Sequence, residues 1–221
     1  MLSGTKNHHE PESCHSMNVK MDKPVRRLSP AKVNLYLKVL SRRPDGYHDL
    51  ATLMQRISLY DEMTFRRTEA AGIVLRCPGS SLPEDEANIV HRAAESFFRR
   101  VGFSGGVEII LKKSIPLAAG LGGGSSNAAT TLLTLNEFAG RPCPQAELME
   151  IGAALGADVP FFILKATAWA FGIGDRLEAV AHPPQFNFLL VNPGFELSTR
   201  KVYEGLNLTL TKEPIHYSIP R

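Results

Sequence analysis

Residues 116–129 read PLAAGLGGGSSNAA and place four glycines in five positions: Gly120, Gly122, Gly123 and Gly124. Without Cβ atoms, such a run can turn successive N–H groups inward and let a phosphate approach the backbone. Ser125 and Ser126 then start a helical pattern. A helix N-terminus adds oriented N–H groups and a partial positive charge. No Gly-Lys-Ser/Thr closes the run, so it is not a Walker A loop; Ser125 replaces the third glycine of a dinucleotide fingerprint. The competing reading is a tight turn before a capped helix.

Three further groups could do chemistry. Lys32 and Asn34 in SPAKVNL are two apart on a strand pattern, so they share a face and together could hold a phosphate or a hydroxyl. Alone, Lys32 is an ordinary surface lysine. Tyr47 and His48 follow the Asp45-Gly46 turn, where an aromatic and an imidazole suit stacking on, and hydrogen bonding to, a base; loop packing is the plainer use. Asp158 in LGADVPFF stands at the end of a helical segment, before an apolar run. A carboxylate there must be paired or it is costly. It is either a structural cap or a catalytic group, with Lys32 as a plausible partner.

The elements that must position these groups follow from periodicity. Residues 32–40 alternate as a strand, with Val33, Leu35, Leu37 and Val39 on one face. Residues 42–48 form a turn. Residues 53–66 read as a strand or strand pair interrupted near Tyr60 and Asp61, and 73–77 as a short strand. A helix opens at 83–86, runs through Ile89, Ala93, Ala94 and Phe97, and ends at 102–106. A strand at 107–113 leads into the glycine loop. Helices follow at about 125–138 and 144–155, then strands at 166–172, 177–180 and 188–191. The mixture indicates an α+β or α/β fold.

The chain has 221 residues, 43% of them apolar and 21% charged, with a net charge of +3. It can bury a core of one large or two small domains at about 150 residues per domain. The weak charge does not suggest a dedicated nucleic-acid binder. Cys14, Cys77 and Cys143 are few, odd in number and far apart, which argues against a disulfide scaffold or zinc site and for reduced thiols. Residues 1–23 read as a disordered tail without the apolar stretch of a secretory signal. The longest uncharged run, 114–136, is too polar for a membrane span. The expectation is a cytoplasmic protein that binds neither nucleic acid nor membrane.

SPAKVNL, RPDGYH, GLGGGSSNAA and LGADVPFF, in this order, resemble the 4-diphosphocytidyl-2-C-methyl-D-erythritol kinase family. This family lies within the galactokinase, homoserine kinase, mevalonate kinase and phosphomevalonate kinase superfamily. The glycine loop identifies the superfamily, and SPAKVNL with the DGYH turn points to the member. The resemblance implies an α+β, two-domain small-molecule-kinase fold with a ribosomal-protein-S5-domain-2-like nucleotide domain at 24–185 and an incomplete second domain at 186–221. It also implies transfer of a phosphoryl group from ATP, with Mg2+, to the C2 hydroxyl of a cytidine diphosphate methylerythritol substrate. Matching positions make Lys32 and Asp158 the catalytic pair. Asn34, Tyr47, His48, Thr199 and Tyr203 match substrate positions, with His48 reading the cytosine. Gly120, Gly122, Gly123, Gly124, Ser125 and Ser126 would hold the ATP phosphates, and Asn88 and Lys113 would contact the nucleotide.

The family continues past the point matching Arg221, with more of the substrate domain and a second Gly/Ser-rich loop. The expectation is therefore a fragment or truncated product. It would expose apolar surface around Phe188, Leu190, Leu206 and Leu208, with little turnover of its own. Another kinase of the superfamily, an inactive nucleotide-binding remnant and an RNA-associated domain are the alternatives.

Overall fold

The computed structural model describes residues 23–44, 46, 48–192 and 194. The expected tail, Tyr47, Thr199, Tyr203, Leu206 and Leu208 lie outside the described residues. A six-stranded sheet is organised around two long antiparallel strands, β1 (Val25–Arg42) and β2 (His48–Thr68). On its other edge β2 pairs twice. Residues Glu62–Thr68 run against β4 (Gly106–Lys112), and Leu50–Met54 run against β5 (Ala168–Gly172). β3 (Gly72–Arg76) lies parallel to β4, and β6 (Arg176–Ala179) closes the far edge beside β5.

The interruption expected near Tyr60 and Asp61 is an irregularity within one continuous strand. Pairing with β1 jumps from Pro30↔Tyr60 to Ala31↔Ile57, leaving Ser58 and Leu59 without partners. A second irregularity corrects the expected β1 face. Asn34 pairs with Met54 and Tyr36 with Leu53, so Leu35 is an extra residue and the alternation reverses across it. Lys32 and Asn34 line the same cleft as Leu37 and Val39, rather than the opposite face. The Thr52 hydroxyl ties this bulge by donating to the Tyr36 carbonyl at 2.7 Å.

Helix α1 (Ile89–Val101) buries Val90, Ala93, Ala94 and Phe97, the i, i+3, i+4, i+7 stripe of an amphipathic helix. It starts later than the sequence suggests. Asn88 is its N-cap, accepting from the Val90 N–H at 2.9 Å, and the preceding residues form turns closed by Asp85. Gly102 ends it in the left-handed conformation. Helix α2 (Gly123–Phe138) is enclosed on nearly all sides, which its Ala, Ser and Thr residues permit. It contacts β1, β2 and all three other helices. Helix α3 (Gln145–Leu155) starts within one residue of the expected position. The short α4 (Val159–Leu164) was hidden in the apolar run VPFFIL, where helix and strand patterns cannot be separated.

The core fills the space between sheet and helices. Met63 and Phe65 of β2, with Val107, Ile109 and Leu111 of β4, meet Phe97, Leu132 and Leu135. Cys77 and Cys143 are buried free thiols, and burial pushes both up from the ordinary thiol range. The strand expected at 188–191 does not form. After β6 the chain runs along the mouth of the cleft without a ladder, Phe188 and Leu190 are exposed, and Leu189 is 91% exposed.

Candidate active site

A cleft of about 1970 Å³ opens between the β1–β2 sheet surface, the glycine loop and the N-terminal end of α4. Lys32, Asn34, Gly120, Gly122, Ser125 and Asp158 all line it. Residues separated by more than 120 positions in the chain are thus brought to one surface.

The glycine loop is seated on β1. The Lys32 N–H donates to the Leu121 carbonyl at 2.9 Å. Gly122 has a φ of 69° and stands at the N-cap of α2. A Cβ there would lie 3.0 Å from both Lys32 Cγ and the Phe162 ring, so both backbone conformation and space favour glycine. Nothing within 4 Å would meet a Cβ on Gly120, which faces open space at φ 70°. The first hydrogen bond of α2 runs from the Ser126 N–H to the Gly122 carbonyl at 2.9 Å. The N–H groups ahead of Ser126 are the turn that an α-helix leaves without intrahelical partners. The N-cap Gly122 has no side chain to cap them, and this end of α2 opens at the cleft.

Lys32 is almost buried, and its ammonium donates to Asn34 Oδ1 at 3.1 Å. Asp158 Oδ2 lies 3.5 Å from Lys32 Nζ, with the aspartate side chain 34% exposed. Asp158 occupies the N-cap position of α4, beyond the end of α3, yet its side chain caps no N–H. The carboxylate is therefore spent on Lys32 and the cleft rather than on the helix. Leu37, Val39, Leu50 and Thr52 carry the cleft wall toward the β1–β2 hairpin, where His48 opens β2 opposite Arg42. Arg56 also lines the cleft; burial lowers its guanidinium from the ordinary range, with Tyr60 opposing the shift, and it donates to the Lys165 carbonyl.

Three expected nucleotide-contacting residues have their side chains engaged behind the loop. Asn88 accepts from Val90 and donates to the Pro83 carbonyl at 2.8 Å. Lys113 bonds Asp61 and Asn127 Oδ1. Ser126 is fully buried, accepting from the Ser29 hydroxyl at 2.8 Å. Sequence reasoning missed the centre of this layer. Asp61, read as a strand interruption, accepts from Lys113, Asn127 and two backbone N–H groups. The available signal was a lone aspartate inside a strand pattern, which needs buried partners. Among the described residues no three His, Cys, Asp or Glu side chains converge on a common point, and no helix is long and apolar enough to cross a membrane.

Residues 88–166 match the GHMP kinases N terminal domain. A 4-diphosphocytidyl-2-C-methyl-D-erythritol kinase of Syntrophus aciditrophicus is 63% identical over 194 residues, 88% of this chain and 69% of that protein. A crystal structure of 4-(cytidine 5'-diphospho)-2C-methyl-D-erythritol kinase is 41% identical with a TM-score of 0.69. The match covers 81% of this chain and 63% of that one, so the chain spans somewhat under two thirds of that structure. Methanococcus jannaschii mevalonate kinase shares the fold at 14% identity and a TM-score of 0.56, covering 72% of this chain and 56% of its own. The α+β architecture is thus that of the GHMP kinases, and the chain belongs to the 4-diphosphocytidyl-2-C-methyl-D-erythritol kinase family.

Proposed function

We propose that this cleft phosphorylates the C2 hydroxyl of 4-diphosphocytidyl-2-C-methyl-D-erythritol with ATP. The observation that carries the reading is the 3.5 Å Lys32–Asp158 pair set against the glycine loop. The loop fits a phosphate chain: glycine is needed for space at Gly122, Gly120 is open, and the first turn of α2 supplies N–H donors. Gly120, Gly122, Gly123, Gly124 and Ser125 hold the phosphates in this reading. Asn88, Lys113 and Ser126 support the nucleotide from behind. ATP supplies the phosphoryl group. Mg2+ would be held mainly by the phosphates, because this ion favours one or two carboxylates plus substrate oxygens, and Asp158 is the one carboxylate among the described residues that line the cleft.

Asp158 orients the acceptor hydroxyl and takes its proton. A carboxylate is far less basic than an alkoxide, so the proton leaves late, as bond formation to phosphorus proceeds. Lys32 neutralises charge on the transferring group, and Asn34 holds the lysine in place. Positioning is the main contribution, which suits a loose transition state. In this reading His48 and Tyr47 recognise the cytosine, with Tyr203 as a second aromatic for it and Thr199 as a contact for the diphosphate, roles taken from the family match. Residues 24–185 are, in the same reading, the nucleotide unit, and 186–221 belong to the substrate side. The protein acts in the cytoplasm on a small molecule.

Calorimetric titration and ADP release test the reading together. The cytidyl substrate should bind and stimulate ADP release, while mevalonate, homoserine and galactose should do neither. Binding of one of those three in preference to the cytidyl compound would contradict it.

A further inference from the structure

We propose that Asp61 is a positioning residue for the nucleotide, clamping the two ends of the glycine loop; the inference rests on reading that loop as the ATP phosphate site. Asp61 is 0% exposed, and a carboxylate survives such burial only when charge and lone pairs are both answered. Its two oxygens divide the work. Oδ1 accepts from the N–H groups of Ser114 at 2.7 Å and Ile115 at 2.9 Å, where the chain leaves β4 for the loop. Oδ2 accepts from Lys113 and from Asn127 Nδ2, at 3.0 Å, where the chain has entered α2. One side chain thereby joins entry and exit.

The clamp bears directly on the loop. A Cβ on Gly123 would sit 3.1 Å from Lys113 Nζ and 3.0 Å from Ile115 Cγ2, so the first turn of α2 rests on the clamped residues. Asn127 extends the tie to β1, donating to Ser29 at 2.9 Å. A glycine-rich loop has more backbone freedom than any other, and ordering it only on ligand binding would weaken affinity. Asp61 orders it beforehand.

The sign of the effect separates positioning from charge. Removing a carboxylate near an anion site should, by Coulomb's law alone, tighten phosphate binding. A lost clamp should weaken it. The test uses the 221-residue chain with the near-isosteric Asp61→Asn. Binding of a non-hydrolysable ATP analogue with Mg2+, and of the cytidyl substrate, is measured by calorimetry. Amide exchange is followed at residues 120–125. Analogue binding should weaken about tenfold or more and loop exchange accelerate by a similar factor, with cytidyl affinity held within about twofold. A folded Asp61→Asn chain that binds the analogue as tightly as wild type, or that loses both ligands equally, would overturn the inference. Should that variant not fold, Asn127→Ala, which cuts the exit tie together with the bonds to Ser29 and Lys113 and leaves the entry tie in place, must show the same split between ligands; equal loss or no loss overturns it likewise. A wild-type chain that fails to bind the analogue would instead overturn the phosphate-site reading itself.

Discussion

Adjacent glycines touch two lysines whose carboxylate partners are arranged in opposite ways. A Cβ on Gly122 would meet Lys32, and one on Gly123 would meet Lys113. Lys32 and Asp158 stand 3.5 Å apart, longer than a well-formed hydrogen bond, with Asp158 open to the cleft. Lys113 and Asp61 are in direct contact, and Asp61 takes two backbone N–H groups besides. The first pair keeps hydrogen-bonding capacity for a substrate. In the second, the carboxylate has spent its capacity within the protein. Lysine–carboxylate pairing therefore marks no single role: the open pair suits chemistry, and the closed pair suits architecture.

Substituting each lysine by methionine breaks the comparison most sharply. Lys32→Met should lower turnover about a thousandfold, the scale of losing a charge stabiliser of the transition state, with little change in melting temperature. Lys113→Met leaves Asp61 buried without its cation and should cost about 3–5 kcal/mol of stability by urea unfolding. Equal effects of the two substitutions on stability would erase the distinction. Next in size, Gly122→Val forces a branched side chain into a left-handed position against Lys32 and Phe162. It should weaken binding of an ATP analogue about tenfold or more, read by calorimetry.

The sequence exposes the open pair better than the closed one. SPAKVNL, the glycine run and LGADVPFF are local patterns whose residue types already suggest chemistry. α1, α2, α3 and β4 were readable because their apolar spacing and the bounding Gly102 and Pro144 act locally, whereas the pattern starts α1 too early, ahead of Asn88. The bulge at Leu35 was not, because it depends on which β2 residues stand opposite. Asp61 was misread for the same reason. Its meaning comes from partners 52 to 66 positions away, where no local pattern points. Asn88, Lys113 and Ser126 show the converse: their motif match is local, while their hydrogen bonds face inward.

Smaller effects test the support behind the loop. Asn88→Ala removes the cap of α1 and should cost about 1 kcal/mol in urea unfolding, with a loss of analogue affinity of no more than about threefold, because its support of the nucleotide is indirect. Smallest is the pH effect of Glu84. The Cys77 N–H, foremost, and the Arg76 guanidinium hold its carboxyl below the ordinary glutamate range. A lowered folded value stabilises at pH above the unfolded value, about 4.3, and that stability is lost as pH falls through the folded value. Glu84→Gln should therefore lower the melting temperature slightly at neutral pH, and the gap should close in acid.

Asp158→Asn carries the most direct test of the open pair as the centre of transfer. Turnover of the cytidyl substrate is measured beside calorimetric affinities for that substrate and for the ATP analogue. An interaction made mainly in the transition state predicts turnover lower by about a thousandfold, with both affinities within about threefold of wild type. Undiminished turnover, or a loss accounted for wholly by weaker binding, would show that Asp158 does not take part in the transfer.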